Sequence, residues 1–153
     1  MTYPKPPSVS TFVVLNESLY AGTANWLGGE IWKTEDGVNW SKVIKRGFYS
    51  PFNFWIWKLF VFNDKLIAGT FNPVLGCEIW TSKNDSPNQK KDFFKIGIHG
   101  MDGTNIFNSG KLPQDGARSF ENFNSTFYVG TTNWVDLNTK IKGTGCEVWR
   151  IKK

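Results

Sequence analysis

The sequence predicts an all-β protein built from three copies of one antiparallel meander, and two observations lead to this fold class. The first is composition: the 153 residues include 8 Trp, 13 Phe and 15 Gly, a balance that favours strands joined by tight turns. The second is an internal repeat. One phrase occurs at residues 19–32, 66–80 and 127–149, and each copy joins a Gly-Thr half to a Glu-Ile-Trp or Glu-Val-Trp half.

The first repeat contains four predicted strands separated by turn residues. Alternating β-branched side chains open it, and residues 16–18 form its first turn. A hairpin tip follows at residues 25–29, and the turn at residues 35–39 carries an Asp-Gly pair, which favours tight turns. The predicted strands are residues 8–15, 19–24, 30–34 and 40–45.

The second and third repeats follow the same order with longer connections. A stretch rich in Gly, Asn, Ser and Pro at residues 99–115 separates them, and an irregular segment of this length is typically functional or mobile. The third repeat ends before its fourth strand, so eleven strands are predicted in place of twelve. The remaining predicted strands are residues 54–62, 65–71, 77–82, 92–98, 117–123, 126–132 and 146–151.

The spacing of the repeats favours the blades of a β-propeller over a plain β-sandwich. Gly69 follows Gly22 by 47 residues and Gly130 follows Gly69 by 61, and propeller blades of four strands have periods of about 40–50 residues. A sandwich gives no reason for three similar phrases. The predicted organisation is an extended arm at residues 1–7 and a three-blade unit at residues 8–153, with blades at about 8–47, 52–98 and 116–153.

Three blades are too few for a ring, because propellers have about four to eight. Either a longer parent chain supplies the others, or two copies form a homo-oligomer with six blades. The missing twelfth strand leaves a sheet edge open after Trp149, and open edges invite pairing with another chain. We therefore expect residues 2–6 of a partner chain to pair at this edge.

The segment from Thr34 through Asp36 and Gly37 to Trp40 resembles a short Asp-box, the turn found on the blades of sialidase-like and other BNR-repeat propellers. The similarity extends to the repeated Gly-Thr and Glu-Trp phrases, which resemble those of uncharacterised bacterial and archaeal propeller-repeat proteins. It implies a folding device in which the Asp side chain caps the turn and the Trp packs beneath it. The second repeat lacks the matching Trp, and the third ends before the turn.

Charge and cysteine content exclude some classes of function. The net charge of +5 is scattered along the chain, whereas a nucleic-acid surface requires clustered basic residues. No signal peptide or membrane span is recognisable, so we expect a soluble protein of unknown compartment. Cys77 and Cys146 occupy equivalent repeat positions, which in neighbouring blades are normally too far apart for a disulfide. They are interpreted as small buried thiols in preference to a structural disulfide or a metal site. No cofactor or metal is expected.

The repeated glutamates, Glu30, Glu78 and Glu147, are predicted to accept hydrogen bonds from neighbouring blades. A catalytic site would gather different residues from different blades, so their repetition favours a structural role. Sialidases hold a carboxylate with three arginines, and this chain has Arg46, Arg118 and Arg150, but no accompanying motif. His99 has no candidate acidic partner, so we expect a surface histidine.

A rim of hairpin tips and connectors is the candidate binding site. Trp beside Asn is suited to sugars, because the indole stacks on a ring face and the amide bonds hydroxyls. Alternatively, the Trp side chains cover the blade ends. The rim candidates are Asn25, Trp26, Asn72, Asn133, Trp134 and Tyr49, with Phe48, His99 and Met101 beside them. The residues assigned to the core between blades are Trp32, Trp80, Trp149, Phe12, Trp57 and Phe120.

These observations favour a non-enzymatic binding module that presents its rim to a glycan or a protein partner. A sialidase-like glycosidase, with catalytic groups supplied on assembly or lost, is the alternative from another class. A purely structural array of blades is the third interpretation.

Overall fold

The computed structural model describes residues 8–50, 52–103, 105–110, 112–133 and 145–151. Within these residues the protein is all-β, and eleven strands form one antiparallel sheet that is not closed into a barrel. The strands are β1 (Ser8–Leu15), β2 (Ser18–Ala24), β3 (Ile31–Thr34), β4 (Ser41–Ile44), β5 (Trp55–Phe62), β6 (Lys65–Phe71), β7 (Ile79–Ser82), β8 (Phe93–Gly97), β9 (Gly116–Phe123), β10 (Thr126–Thr132) and β11 (Val148–Ile151).

The sheet consists of three meanders in which each strand pairs with the next. β1–β4 form the first meander, β5–β8 the second and β9–β11 the third. Single residue pairs, Ala24 with Trp55 and Phe71 with Gly116, connect one meander to the next. All eleven predicted strands are confirmed, and their ends differ from the predicted ones by no more than two residues.

The first two strands of every meander share one turn geometry. Both turn residues have positive φ, between 47° and 58°, as in the type I′ turns that match the twist of a hairpin. The turns are Asn16-Glu17, Asn63-Asp64 and Asn124-Ser125. Each first strand also skips one residue in its pairing with the second strand, and the skipped residues are Ser10, Trp57 and Arg118. The repeat is therefore preserved in backbone geometry as well as in sequence.

Two apolar clusters fill the spaces between consecutive meanders, and we call these spaces the first and second junction. The first strands lie side by side, β1 next to β5 and β5 next to β9. Leu59 is buried in the first junction with Tyr20 and Ile31. Phe120 is buried in the second junction with Ile67 and Ile79. Burying one large apolar side chain contributes about 1.5–3 kcal/mol, so these junctions hold the meanders together.

Four assignments to buried positions are wrong. Trp32 is half-buried and lies in neither apolar cluster, because it is on the same uncovered face as Phe12. Phe12 is 58% exposed, because no described meander precedes the first one and covers this face. Cys146 is exposed for the matching reason at the other end, whereas Cys77 is buried. Trp57 is half-buried, because it is the residue skipped in the pairing of β5 with β6.

The described residues of the connector at 99–115 are irregular, as predicted, except for one helical turn, α1 (Ile106–Ser109). A turn at Arg46–Tyr49, in which all four residues have positive φ, precedes β5, and a 3₁₀ turn at Lys90–Asp92 precedes β8. No helix in the described part of the chain is long and apolar enough to cross a membrane. The proposed pairing of residues 2–6 lies outside the described residues.

Candidate functional site

The repeated threonine and glutamate form one structural pair in every meander. The Thr23 hydroxyl accepts a hydrogen bond from the Glu30 backbone N–H at 3.0 Å. In the other two meanders the corresponding distances are 2.9 Å between Thr70 and Glu78 and 3.1 Å between Thr131 and Glu147. This bond fixes the point at which each hairpin tip ends and the third strand begins.

The carboxylate of each repeated glutamate accepts a hydrogen bond from the indole two residues later. The distances are 3.1 Å for Glu30, 2.9 Å for Glu78 and 2.9 Å for Glu147. A lysine from the fourth strand adds an ion pair where that strand is present, Lys42 at 2.7 Å from Glu30 and Lys95 at 2.6 Å from Glu78. The predicted structural role of these glutamates is confirmed.

The predicted source of those hydrogen bonds is wrong. Each donor named above belongs to the same meander as its glutamate, because the third and fourth strands bring the indole and ammonium groups to it. Glu78 also accepts a bond from the amide nitrogen of Asn53 at 2.7 Å, and Asn53 lies in the connector directly before β5. Glu78 is 2% exposed, its carboxylate accepts from three donors and its backbone N–H donates to Thr70, so it links several parts of the second meander.

The turn that resembles an Asp-box has the expected capping geometry. Asp36 Oδ1 accepts bonds from the backbone N–H groups of Val38 at 2.8 Å and Asn39 at 2.7 Å, and Thr34 donates its hydroxyl to the same oxygen. Hydrogen bonds from Asn39 and Val38 hold the pKa of Asp36 well below its usual range. These contacts stabilise the turn between β3 and β4. Trp40 is exposed, so the packing of this Trp beneath the turn that the resemblance implied is wrong.

The three candidate asparagines serve mainly to shape their tips. Asn25 accepts the Leu27 N–H at 2.9 Å, and Asn72 accepts the N–H groups of Val74 and Leu75. Asn72 is completely buried, so its prediction as a ligand-binding residue is wrong; its amide nitrogen instead donates to Asn53. Asn133 donates to two backbone carbonyls of the preceding connector. Short polar side chains satisfy turn amides in this way.

The two aromatic rim candidates that the structure describes, Trp26 and Tyr49, are both exposed. Trp26 is 66% exposed and contacts Phe54 and Trp55 edge to face. Tyr49 is also exposed, and the Lys90 ammonium lies 5.4 Å from its ring centroid. Trp134 lies outside the described residues. Of their predicted neighbours, Phe48 is buried against Trp80, with ring centroids 4.4 Å apart. Met101 packs in the second junction.

Trp26 belongs to a larger group of aromatic rings from the first two meanders and the connector between them, which one arginine of the third meander joins. Trp55 and Trp57 meet at 5.2 Å between ring centroids, and the Arg118 guanidinium lies 5.0 Å from the Trp57 centroid. Apart from Trp26 and Arg118, which are exposed, the members are partly exposed. We call this group the aromatic surface, and its members are Trp26, Phe52, Phe54, Trp55, Trp57 and Arg118.

Sequence reasoning identified Trp26 and missed the other members of the aromatic surface. The available signal was the Trp-Ile-Trp run at the start of β5, since alternate residues of a strand face the same side. Ile56 points into the first junction and is fully buried, so Trp55 and Trp57 face the other way. Assignment of Trp57 to the core concealed this pattern.

The other titratable candidates do not form a reactive site. His99 is partly buried rather than on the surface, and its Nδ1 has no hydrogen-bond partner among the described residues. Burial raises the pKa of the Cys77 thiol, which favours the unreactive protonated form. The three arginines are exposed on separate elements. The part of the chain that the structure describes contains no group of His, Cys, Asp or Glu residues suited to a metal ion.

Searches of protein-family models, of curated proteins and of solved structures gave no match to this chain.

Proposed function

We propose that the three meanders are blades of a β-propeller and that the protein is a non-enzymatic binding module whose aromatic surface takes a carbohydrate. The repeat spacing, the side-by-side first strands and the two equivalent junctions support the propeller architecture. The ring would be completed by further copies or by the remainder of a longer parent chain. The aromatic surface is the observation that carries the proposed ligand.

The two tryptophans of β5 in the aromatic surface stand out because they do not follow the repeat. Residues that maintain the fold recur in each meander, as the threonine and glutamate pairs do. The positions equivalent to Trp55 and Trp57 hold Ser8 and Ser10 in the first meander and Gly116 and Arg118 in the third. Partly exposed aromatic residues present in one repeat alone are not required by the architecture, so they favour a binding role.

The chemistry of this surface suits a sugar. Indole faces stack on the apolar C–H face of a pyranose ring, and rings fixed by edge-to-face packing lose little freedom on binding. Arg118 presents several N–H donors beside Trp57, and adjacent hydroxyls of a sugar are acceptors at matching spacing. The repeated glutamates are engaged by indole and lysine donors, which leaves them poorly placed for acid or base catalysis.

Binding to a glycan array, followed by titration of the strongest ligand, tests this proposal. We expect Trp26→Ala and Trp57→Ala each to weaken binding by about threefold to tenfold, because an aromatic contact contributes about 0.5–1.5 kcal/mol beyond area burial. Trp40→Ala is the matched control, since Trp40 is an exposed tryptophan on the turn between β3 and β4. Circular dichroism confirms that each variant is folded.

Two outcomes would contradict the proposal. One is the absence of any glycan ligand for the folded wild-type protein. The other is unchanged affinity in both Trp26→Ala and Trp57→Ala, which would move the binding site away from the aromatic surface.

A further inference from the structure

The two internal junctions are built in the same way, from a strand glycine that admits the next meander. A Cβ atom added to Gly22 on β2 would lie 2.9 Å from Ile56 Cγ2. At Gly69 on β6 it would lie 2.8 Å from the Cβ atom of Ala117 and 2.5 Å from Phe120 Cζ. Both glycines therefore permit the first strand of the following meander to pack closely.

The residues that enter these junctions occupy equivalent positions of the first strands. Each first strand contributes two such residues. The first pairs with the repeated threonine of the second strand, and the second lies three residues later on the same first strand. The equivalent pairs are Val9 and Phe12, Ile56 and Leu59, and Ala117 and Phe120. The last two pairs are at most 5% exposed, whereas Val9 is 50% and Phe12 58% exposed. The first meander thus presents the entering half of a junction with nothing described against it.

The third meander presents the other half. Ile31 and Ile79 are completely buried in the two junctions, while Val148, their equivalent on β11, is 79% exposed. Phe123 is 62% exposed, although its equivalent Leu15 is buried in the first junction. Gly130 on β10 corresponds to Gly22 and Gly69 and is next to this same face.

We infer that a second copy of this chain docks head to tail and forms a third junction of the same kind. The head face consists of Val9, Phe12 and Val14, and the tail face consists of Phe123, Gly130 and Val148. Val9 and Phe12 of one copy pack over Gly130 of the other, as Ala117 and Phe120 pack over Gly69. By the same register Ser8 pairs with Thr132, as Gly116 pairs with Phe71.

A second copy fits these faces because each face matches a half-junction that this chain already contains. A contact between unlike faces is heterologous, so two copies that close on each other use both faces of both chains. The tail face also carries Glu121 where the internal junctions have Val13 and Phe60, so the third junction is more polar than the other two. Association is therefore reversible on dilution.

Light scattering after gel filtration, over a dilution series, measures this association. We expect the wild-type mass to approach twice the 17.4 kDa of one chain at high concentration. Phe12→Glu removes the head face and Val148→Glu the tail face, so each variant alone is expected to have the mass of one chain. Both side chains are exposed in the single chain, so both variants should fold. Val38→Glu, at a 79% exposed turn position, is the control and should behave as wild type.

Mixing the two variants identifies the geometry. Phe12→Glu retains a working tail and Val148→Glu a working head, so an equimolar mixture regains a two-chain species through one intact junction. Association that is lost in Phe12→Glu but retained in Val148→Glu would indicate head-to-head contact and overturn the inference. A folded wild-type protein that stays at one chain, or a mass above two chains, would also overturn it, as would an equal effect of Val38→Glu.

Discussion

Each repeated glutamate joins three parts of its meander at one point: the tip threonine, the indole of the third strand and, where present, the lysine of the fourth. Glu78 has the fullest set of partners and is almost completely buried. Glu147 has the threonine and indole contacts and is partly exposed. Comparing Glu78 with Glu147 therefore separates the contribution of the ion pair to stability from that of the hydrogen bonds to threonine and indole.

Glu78→Gln is expected to lower the free energy of unfolding by about 2–3 kcal/mol, because it leaves Lys95 without its charged acceptor in a partly buried site. Glu147→Gln, the matched control, replaces a carboxylate whose described side-chain partner is the Trp149 indole, and should cost about 1 kcal/mol or less. Urea unfolding measures both values. Equal losses would contradict the importance of the lysine.

Asp36 supplies a pH-dependent contribution to the turn between β3 and β4. Its pKa is lowered in the folded state by hydrogen bonds from Asn39 and Val38, so folding favours the carboxylate form. The stability it adds is therefore complete above the unfolded pKa of about 3.9 and is lost as the pH falls further. We expect the difference in unfolding free energy between wild type and Asp36→Ala to be constant near neutral pH and to shrink below about pH 4. Urea titrations at several pH values test this, and a difference independent of pH would refute it.

At the scale of strands, local sequence patterns predicted where each strand begins and ends, but they did not predict which side chains are buried between meanders. Alternation and turn residues are local, so the ends of all eleven strands were predicted closely. Burial depends on neighbours distant in sequence: Phe12 and Leu59 are equivalent, but only Leu59 has a described meander against it. The aromatic surface was missed for the same reason, because its members come from three meanders.

The close approach at Gly69 gives a test of the junction itself. Gly69→Ala is expected to cost about 1–3 kcal/mol, because the new methyl group overlaps Phe120 and Ala117. Phe120→Leu removes the nearer ring atom, so the double variant should be less destabilised than the sum of the two single variants. Thermal or urea unfolding of the wild type, the two single variants and the double variant provides the double-mutant cycle. Strict additivity would show that the two side chains do not meet in the folded protein.

At the scale of the molecule, three meanders make two closed junctions and leave one complementary half-junction at each end. The apolar residues of the head and tail faces are thus explained by the same geometry that buries their equivalents. If the third junction forms between two copies, folding and association are linked, since a partner that binds only the folded chain stabilises it by mass action.

The midpoint of thermal unfolding should therefore rise with protein concentration. Wild type is expected to show this dependence in calorimetry or circular dichroism, because dilution removes the contribution of the third junction. Phe12→Glu should unfold at one temperature throughout, equal to the wild-type value at high dilution, since its exposed side chain makes no contribution within a single chain. Val38→Glu should follow wild type. A wild-type midpoint that does not change with concentration would mean that the head and tail faces stay apart in solution, and that a ring of blades requires some other partner.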